Sequence, residues 1–545
     1  MREYILNNES RFAYDEEIEL ETKKVICDSD SHRYSGLPVL GDGNEMRVLD
    51  NDTHALISGQ TGAMKTRRVI MPMLVNMIKS GESIVVNDPK GELFERNKSL
   101  LDQYGYKTYV LNLRNTECGC RWNPFESVIE AYRDGDIDRS DRMLRDIAEN
   151  VYIKLSEVTN DKFWTSAAEN YFVGLAQLVR SYDDTLLTFE NIMNAHLKAE
   201  VKFGASNMIK HYCELAQLNN TIMMNLNGTI NAPMETKKSI FSVFEQPLSL
   251  YGLENIKDMM CRSDIDFTKV GKESTAIFII SPDENTVFTP IISMFVKMCY
   301  NNLIDVAHKL YNGVLPKRVN FLLDEFSNLP EISDFDTMIS ASRSRNIRFY
   351  LIIQSLAQLK KNYSVETTHN ILNNCNMVVM RSKDQDMYNY IYNLCGNMVS
   401  EYTFEKYSLI SAMDIQTLDK RKGHVFMFIQ GLYPFKTALP DIDEYNFKVP
   451  DKKKIIYKKR SKVDRRQFNM DSIVKNMQKE KINAEMNRMN TKPFNPVFNA
   501  FDKKPNKIND IPKTSDINID DLIKEIDAKI AELEKEEQKN GNDNT

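Results

Sequence analysis

Apolar positions along this chain follow two rhythms. In the first, short uninterrupted apolar runs are separated by longer stretches of helical spacing. The runs are Ala55 to Ile57, Ile84 to Val86, Tyr109 to Leu111, Thr275 to Ile280, Phe321 to Leu323, Phe349 to Ile353, Met377 to Met380 and Val425 to Ile429. Each is too short for a helix and too uniformly apolar for a strand with one wet face. They predict buried parallel strands covered by helices on both sides. Alternation of such strands with helices is the pattern of an α/β doubly wound sheet. The second rhythm fills the stretch from about 126 to 261, where no comparable run occurs. Within 161–182 the residues Phe163, Ala167, Phe172, Leu175 and Val179 step by three to five and predict a helix with one apolar face. This stretch reads as a mostly helical insertion into the α/β domain.

Composition adds bounds. With 545 residues, 42% hydrophobic and 27% charged, the chain is in the globular range and long enough for several domains. Eight scattered cysteines, of which only Cys118 and Cys120 are close, predict free thiols in a reducing cytoplasm. The net charge of −6 excludes a uniformly basic nucleic-acid coat but leaves room for a local basic groove. The N-terminal residues lack an apolar signal core, and the longest apolar stretch, 287–304, is broken by Pro290, Lys297, Asn301 and Asn302. No transmembrane segment is therefore expected. From Asp451 to Arg466 the chain holds nine Lys/Arg and two Asp, and Ile519 to Leu533 carries heptad-like apolar spacing. The expectation for 451–545 is a basic, then acidic, largely disordered tail with one short helix. The alternative is a phosphate- or lipid-contacting segment followed by a partner-binding helix.

Two segments carry chemistry. The first run leads into Gly59-Gln60-Thr61-Gly62-Ala63-Met64-Lys65-Thr66 and then an apolar helix. Strand, turn and helix are the context of a phosphate loop. Its backbone N–H groups surround a β-phosphate, its lysine neutralises charge and its hydroxyl binds Mg²⁺. Met64 stands where such loops carry glycine. The second segment, RVNFLLDEFSNLP, places Asp324 and Glu325 at the carboxyl end of a buried strand. An aspartate there can hold Mg²⁺ through water, and the adjacent glutamate can accept a proton from an attacking water. Gln354 ends the next strand and is placed to touch a γ-phosphate or its water. Arg343 precedes that strand, at the opposite edge of the sheet, where it can serve a neighbouring subunit as an arginine finger.

These residues, in this order, resemble the coupling ATPases of conjugation and type IV secretion (the TraG/TraD-like class). The likeness runs over roughly 36–450, through GLPVLGDGN, VVNDPKGELFE, RWNPF, DKFWTSAAENYF, VNFLLDEFSNLP, SRSRNIRFYLIIQSLAQL and GHVFMFIQGLYPFK. The resemblance implies a RecA-like P-loop NTPase sheet, with a nucleotide-binding domain built from 1–125 (after an N-terminal lead-in) and 262–450, and an all-α insertion at 126–261. It implies ATP and Mg²⁺ as cofactors. Lys65 and Thr66 match the Walker A pair, Asp324 and Glu325 the Walker B pair, Arg343 the finger and Gln354 the sensor. Asp88, Lys90 and Glu92 match a DPKGE motif near the nucleotide face whose role the residues do not reveal. The implied function is ATP-driven delivery of single-stranded DNA, or a relaxase–DNA complex, to a secretion channel by a cytoplasmic homo-hexamer recruited to membrane-embedded components. Two departures stand out: Ala63-Met64 replaces the family's small Ser-Gly pair, and the membrane helices of many members are absent. The competing readings are a degenerate, non-hydrolysing cargo-docking adaptor and an FtsK/HerA-like segregation or packaging motor.

Overall fold

All eight apolar runs become strands of one sheet. The computed structural model describes residues 10–158, 162–203, 206–282, 284–399, 406–452 and 454–490. In chain order the strands are β1 (His54–Ser58), β2 (Ser83–Asp88), β3 (Lys107–Asn112), β4 (Thr275–Ile280), β5 (Val319–Leu323), β6 (Ile347–Ile353), β7 (Cys375–Val379), β8 (His424–Phe428) and β9 (Phe435–Ala438). Their order across the sheet is β9-β8-β7-β1-β6-β5-β2-β4-β3. The seven strands from β7 to β3 run parallel.

Alternate residues of each strand feed two cores, as the pleat requires. Leu56, Val85, Ile277, Phe321 and Phe349 face the core shared with the helical insertion. Ala55, Ile57, Ile84, Val86, Phe278 and Leu322 face the core under α1 (Met71–Lys79) and α2 (Glu92–Gln103). All seven residues of β6 are buried, which is why the run reads as continuously apolar. Burying each of its large side chains contributes roughly 1.5–3 kcal/mol.

In four places the structure corrects or adds to these expectations. First, β8 is antiparallel to β7, with Met377 opposite Phe428 and Val379 opposite Phe426. The chain leaving β7 returns to the same end of the sheet before β8 begins, so the strand can only run back. It then forms a hairpin with β9, which alternates buried and exposed residues (Phe435 in, Lys436 out) and escaped the search for uniform runs. Second, the lead-in contains a three-stranded antiparallel sheet of Lys23–Ile26, Glu45–Leu49 and Leu37–Gly41. Third, helix α4 (Lys162–Tyr182) does not bury one face. From Tyr171 to Arg180 every residue is buried, while Phe163 is exposed. It is the central helix of the insertion, packed on α3 (Ile137–Val158), Asn220–Ile230 and Met234–Leu248.

The fourth correction concerns the stretch Asp451 to Arg466, expected as a solvated tail. It lies as a strap across the unit of the chain that ends at Lys481. Arg460 donates to Asp258 (2.9 Å) and to the carbonyls of Cys118 (2.7 Å) and Thr116 (2.5 Å). Arg465 pairs with Glu190 (2.9 Å) and Glu254, and Arg466 with Asp183 (2.7 Å). Phe468 is buried against Tyr182 and Tyr212, and Met470, Ile473 and Val474 of helix α6 (Met470–Asn490) are buried too. Guanidinium forks matched to acidic partners hold the segment down, and a count of charges cannot distinguish that from solvation. The heptad-like stretch 519–533 lies outside the described residues.

The insertion leaves the sheet after edge strand β3 and returns before its neighbour β4. Helix α5 (Thr289–Leu310) follows β4 and lies between the insertion and the sheet. Its buried Lys297 reaches the Ser333 carbonyl (2.7 Å) and Asp334 (3.3 Å).

Candidate active site

The carboxyl ends of β1, β2, β5 and β6 meet at a cleft of about 510 Å³, lined by Gln60 to Arg67, Asn87 to Lys90, Asp324, Glu325 and Gln354 among others. The loop after β1 is pinned between neighbouring strands. Gly59 N–H donates to Ile353 O (3.3 Å) and Gln60 N–H to Arg381 O (3.1 Å). A Cβ on Gly59 would stand 3.0 Å from the Met380 Cβ and 3.2 Å from the Ala63 Cβ, closer than ordinary packing allows. Lys65 folds back over the loop and donates to Gly59 O (2.6 Å). Burial pushes its ammonium pKa down, and the nearby Glu325 and Asp324 oppose that shift. The five residues Thr66–Ile70 are wound as a π-type turn before α1 begins.

Met64 has φ 70°, and Gly62 has φ 76°. The methionine thus adopts the left-handed conformation for which glycine is the ordinary residue. The loop keeps its turn, and the side chain costs it about 1 kcal/mol of backbone strain.

Asp324 is half-buried on the wall of the cleft. Burial first, then the like charge of Glu325, raise its carboxyl to about 7, while Lys65 pulls the other way. Asn87, the penultimate residue of β2, donates to the Asp324 carbonyl (2.6 Å), and its own Oδ1 is buried without a hydrogen-bond partner. Glu325 (φ 54°) is turned into the cleft. Gln354 Nε2 donates to both of its carboxylate oxygens (2.8 Å each). Thr61 Oγ1 donates to Gln354 Oε1 (2.8 Å), and Asn328 donates to Glu325 Oε2 (3.2 Å). A continuous hydrogen-bond chain therefore joins the phosphate-loop hydroxyl to the strand-end carboxylate.

The structure brings Lys65, Thr66, Asp324, Glu325 and Gln354 together and does not bring Arg343 to them. Arg343 sits in the turn before β6, at the amino ends of the strands, 3.7 Å from Asp52. Its turn is anchored by buried His54, whose Nδ1 accepts the Phe349 N–H (2.9 Å) and whose Nε2 lies 2.7 Å from Ile339 O. Asp88 caps α2: Oδ2 accepts the Phe94 N–H (2.8 Å), and burial raises its carboxyl to about 6. Lys90 and Glu92 are exposed on the cleft wall.

Asn87, Asn328 and the two arginines after Thr66 escaped the sequence reading. Asn87 carries the signal that found Gln354, a polar residue ending a buried strand. Arg67 donates to Asp441 Oδ2 (2.8 Å) and Asp443 (2.5 Å), and buried Arg68 donates to Arg421 O (2.6 Å) and Leu439 O. These two side chains bolt the β8–β9 region to the phosphate-loop helix, and nothing local in the sequence marks them.

Residues 13–420 match the model of a family described as type IV secretory system conjugative DNA transfer. Protein VirD4 of Rhizobium radiobacter is 23% identical over 372 residues, covering 66% of this chain and 50% of VirD4. Conjugal transfer protein TraG of Escherichia coli is 24% identical over 324 residues, covering 56% of this chain and 49% of TraG. The chain thus spans about half the length of the curated relatives it matches. The plasmid coupling protein TrwB in complex with ADP and Mg²⁺ aligns with a TM-score of 0.57 at 14% identity, over 79% of this chain and 93% of that one. The unbound monoclinic form of TrwBΔN70 gives 0.55 at 15% identity, over 81% and 95%. At such identities the likeness is one of fold, and the fold is the RecA-like P-loop sheet.

Proposed function

The chain belongs to the conjugative DNA transfer family of type IV secretory systems, and we propose that it is an ATP-driven coupling protein that passes DNA, or a relaxase–DNA complex, to a secretion channel. The observation that carries this reading is the hydrogen-bond chain Thr61–Gln354–Glu325 facing Lys65 across one cleft. A scaffold has no chemical use for it.

The residues present suit Mg·ATP. The half-buried Asp324 carboxyl, raised to about 7, faces the cleft, and the Asn87 Oδ1 beside it lacks a donor. Thr66 and Asp324 would hold the metal, directly or through water, and the loop from Gly59 to Thr66 would hold the phosphates. Bound Mg²⁺ neutralises charge that develops on the transferring phosphoryl group. Glu325, held by two hydrogen bonds from Gln354, orients a water and accepts its proton. Gln354, bonded to Thr61 of the loop, in turn links the filling of the loop to Glu325. Arg343, remote from its own cleft, completes that of a neighbouring copy, so hydrolysis depends on assembly, in the family's case a hexamer. The helical insertion would receive relaxase or other cargo. Channel-lining loops would grip nucleic-acid phosphates without sequence preference. Among the described residues no helix is long and apolar enough to cross a membrane.

A second reading, a docking adaptor that does not hydrolyse ATP, rests on Met64. The discriminating measurement is the ATPase rate with and without single-stranded DNA. Native protein should turn over ATP faster with DNA, and Glu325→Gln should lose roughly 100-fold or more. Equal rates in the two proteins would favour the adaptor.

A further inference from the structure

The turn after β2 has a role that the phosphate loop and strand-end carboxylates leave open. Asn87 on β2 lies opposite Leu323 of β5, so the turn emerges beside Asp324. Asp88 is committed inward: its carboxylate accepts the Phe94 N–H (2.8 Å), and its carbonyl accepts the Gly91 N–H (3.1 Å). Gly91 takes φ 77°, closing a tight Pro89–Lys90–Gly91 turn onto the first turn of α2. The turn is thereby rigid at its base, and its middle residue, Lys90, is exposed on the wall of the cleft.

Charge shows what that lysine is for. Three cationic side chains line the cleft: Lys65, Arg67 and Lys90. Arg67 is spent on Asp441 and Asp443. Lys65 donates to the loop carbonyl of Gly59. Among the described residues Lys90 forms no ion pair, although Asp88 and Glu92 flank it in sequence. The cleft also carries Asp324 and Glu325, which oppose an incoming polyanion. A metal-bound triphosphate is still anionic after one ammonium has been applied to it. A flexible lysine that is unpaired, and mounted on a fixed turn, is a phosphate-binding group in waiting.

We propose that Lys90 is a second phosphate-binding cation of this cleft, engaging the γ-phosphate of the bound nucleotide while Lys65 holds the inner phosphates. This rests on the ATP reading above and assigns a purpose to the Asp88–Glu92 turn. Asp88 and Gly91 are then positioning residues, and Lys90 is the group that touches the substrate.

The test uses the full chain and isothermal titration with two probes, Mg²⁺ with a non-hydrolysable ATP analogue and Mg²⁺ with ADP. Lys90→Gln should weaken the ATP analogue about 10-fold and leave ADP within about 2-fold, since only the former carries the γ-group. Lys90→Arg should recover most of the loss. Both variants should melt with the native protein, because the side chain is exposed. Unchanged binding of the ATP analogue by Lys90→Gln would overturn the proposal while leaving the nucleotide reading intact. So would an equal loss for both nucleotides, or a loss of DNA affinity alone. Native protein that binds neither nucleotide would overturn the nucleotide reading itself.

Discussion

Replacing Met64 by glycine and, separately, by alanine separates the two ways in which a methionine can impair a phosphate loop. Its side chain can obstruct the phosphates, or its backbone can refuse the turn. At φ 70° the backbone has not refused. The left-handed conformation costs a residue with a Cβ roughly 1 kcal/mol. Met64→Gly relieves that strain but widens the unfolded ensemble by about 0.5–1 kcal/mol, so global stability should move by less than about 1 kcal/mol. The strain is already present in the free loop, where Gly59, Gln60 and Ala63 N–H groups are fixed by hydrogen bonds to Ile353, Arg381 and Gln60 carbonyls. It is therefore carried equally by the free and bound forms and cancels from the binding equilibrium. Native, Met64→Gly and Met64→Ala proteins should bind Mg²⁺ with a non-hydrolysable ATP analogue within about 3-fold of one another, a spread of about 0.7 kcal/mol. Titration calorimetry or a fluorescent analogue reads this directly. A tenfold tightening in both variants would mean that the thioether blocks the site. A tenfold tightening in glycine alone would mean that the free loop is not held in this turn. The first result refutes the expectation that the side chain clears the phosphates, and the second refutes the claim that the loop is preorganised.

Two further outcomes follow from the same contacts. Buried His54 and His32 both have pKa values lowered to about 4, chiefly by burial. A depressed histidine contributes stability that is present in full above about pH 6.5 and lost as pH falls through 4, each worth up to about 3 kcal/mol. Urea unfolding from pH 7 to 4 should show that loss, and His54→Gln should remove about half of it; an unchanged slope would contradict the burial argument. Arg460→Ala strips a half-buried Asp258 of one of its two guanidinium partners and leaves the Cys118 and Thr116 carbonyls short of a donor. The strap should loosen by roughly 2–4 kcal/mol, seen as about 100-fold faster hydrogen exchange from Lys454 to Phe468. Native-like protection there would show that the guanidinium does not hold it.

Most of the sheet was legible because burial on both faces leaves a continuous apolar run, as in Phe349 to Ile353. Strand direction was not, since Val425 to Ile429 is as apolar as its parallel neighbours; only the route of the connecting chain reverses it. Lys65, Thr66, Asp324, Glu325 and Gln354 could be found because each ends or follows a strand at one edge. Arg67, Arg68 and Asn328 could not, because their partners lie far away in sequence or become adjacent only through a turn. The conformation of Met64 has no signature in its letters. The strap was misread for a general reason: six lysines and three arginines have the same composition whether water or carboxylates surround them, and only the placement of Asp258, Glu190, Glu254 and Asp183 decides between the two.

That strap changes the mechanics of the insertion. A module joined to its host by two neighbouring tethers, here after β3 and before β4, swings like a door on one jamb. The segment around Arg460 pins those two tethers to each other at their roots, through Thr116 and Cys118 on one and Asp258 on the other, and Phe468 then carries the chain out onto the helical block against Tyr182 and Tyr212. A hinge whose leaves are pinned together has little play. Drawing that pin would loosen the door without touching any residue of the cleft.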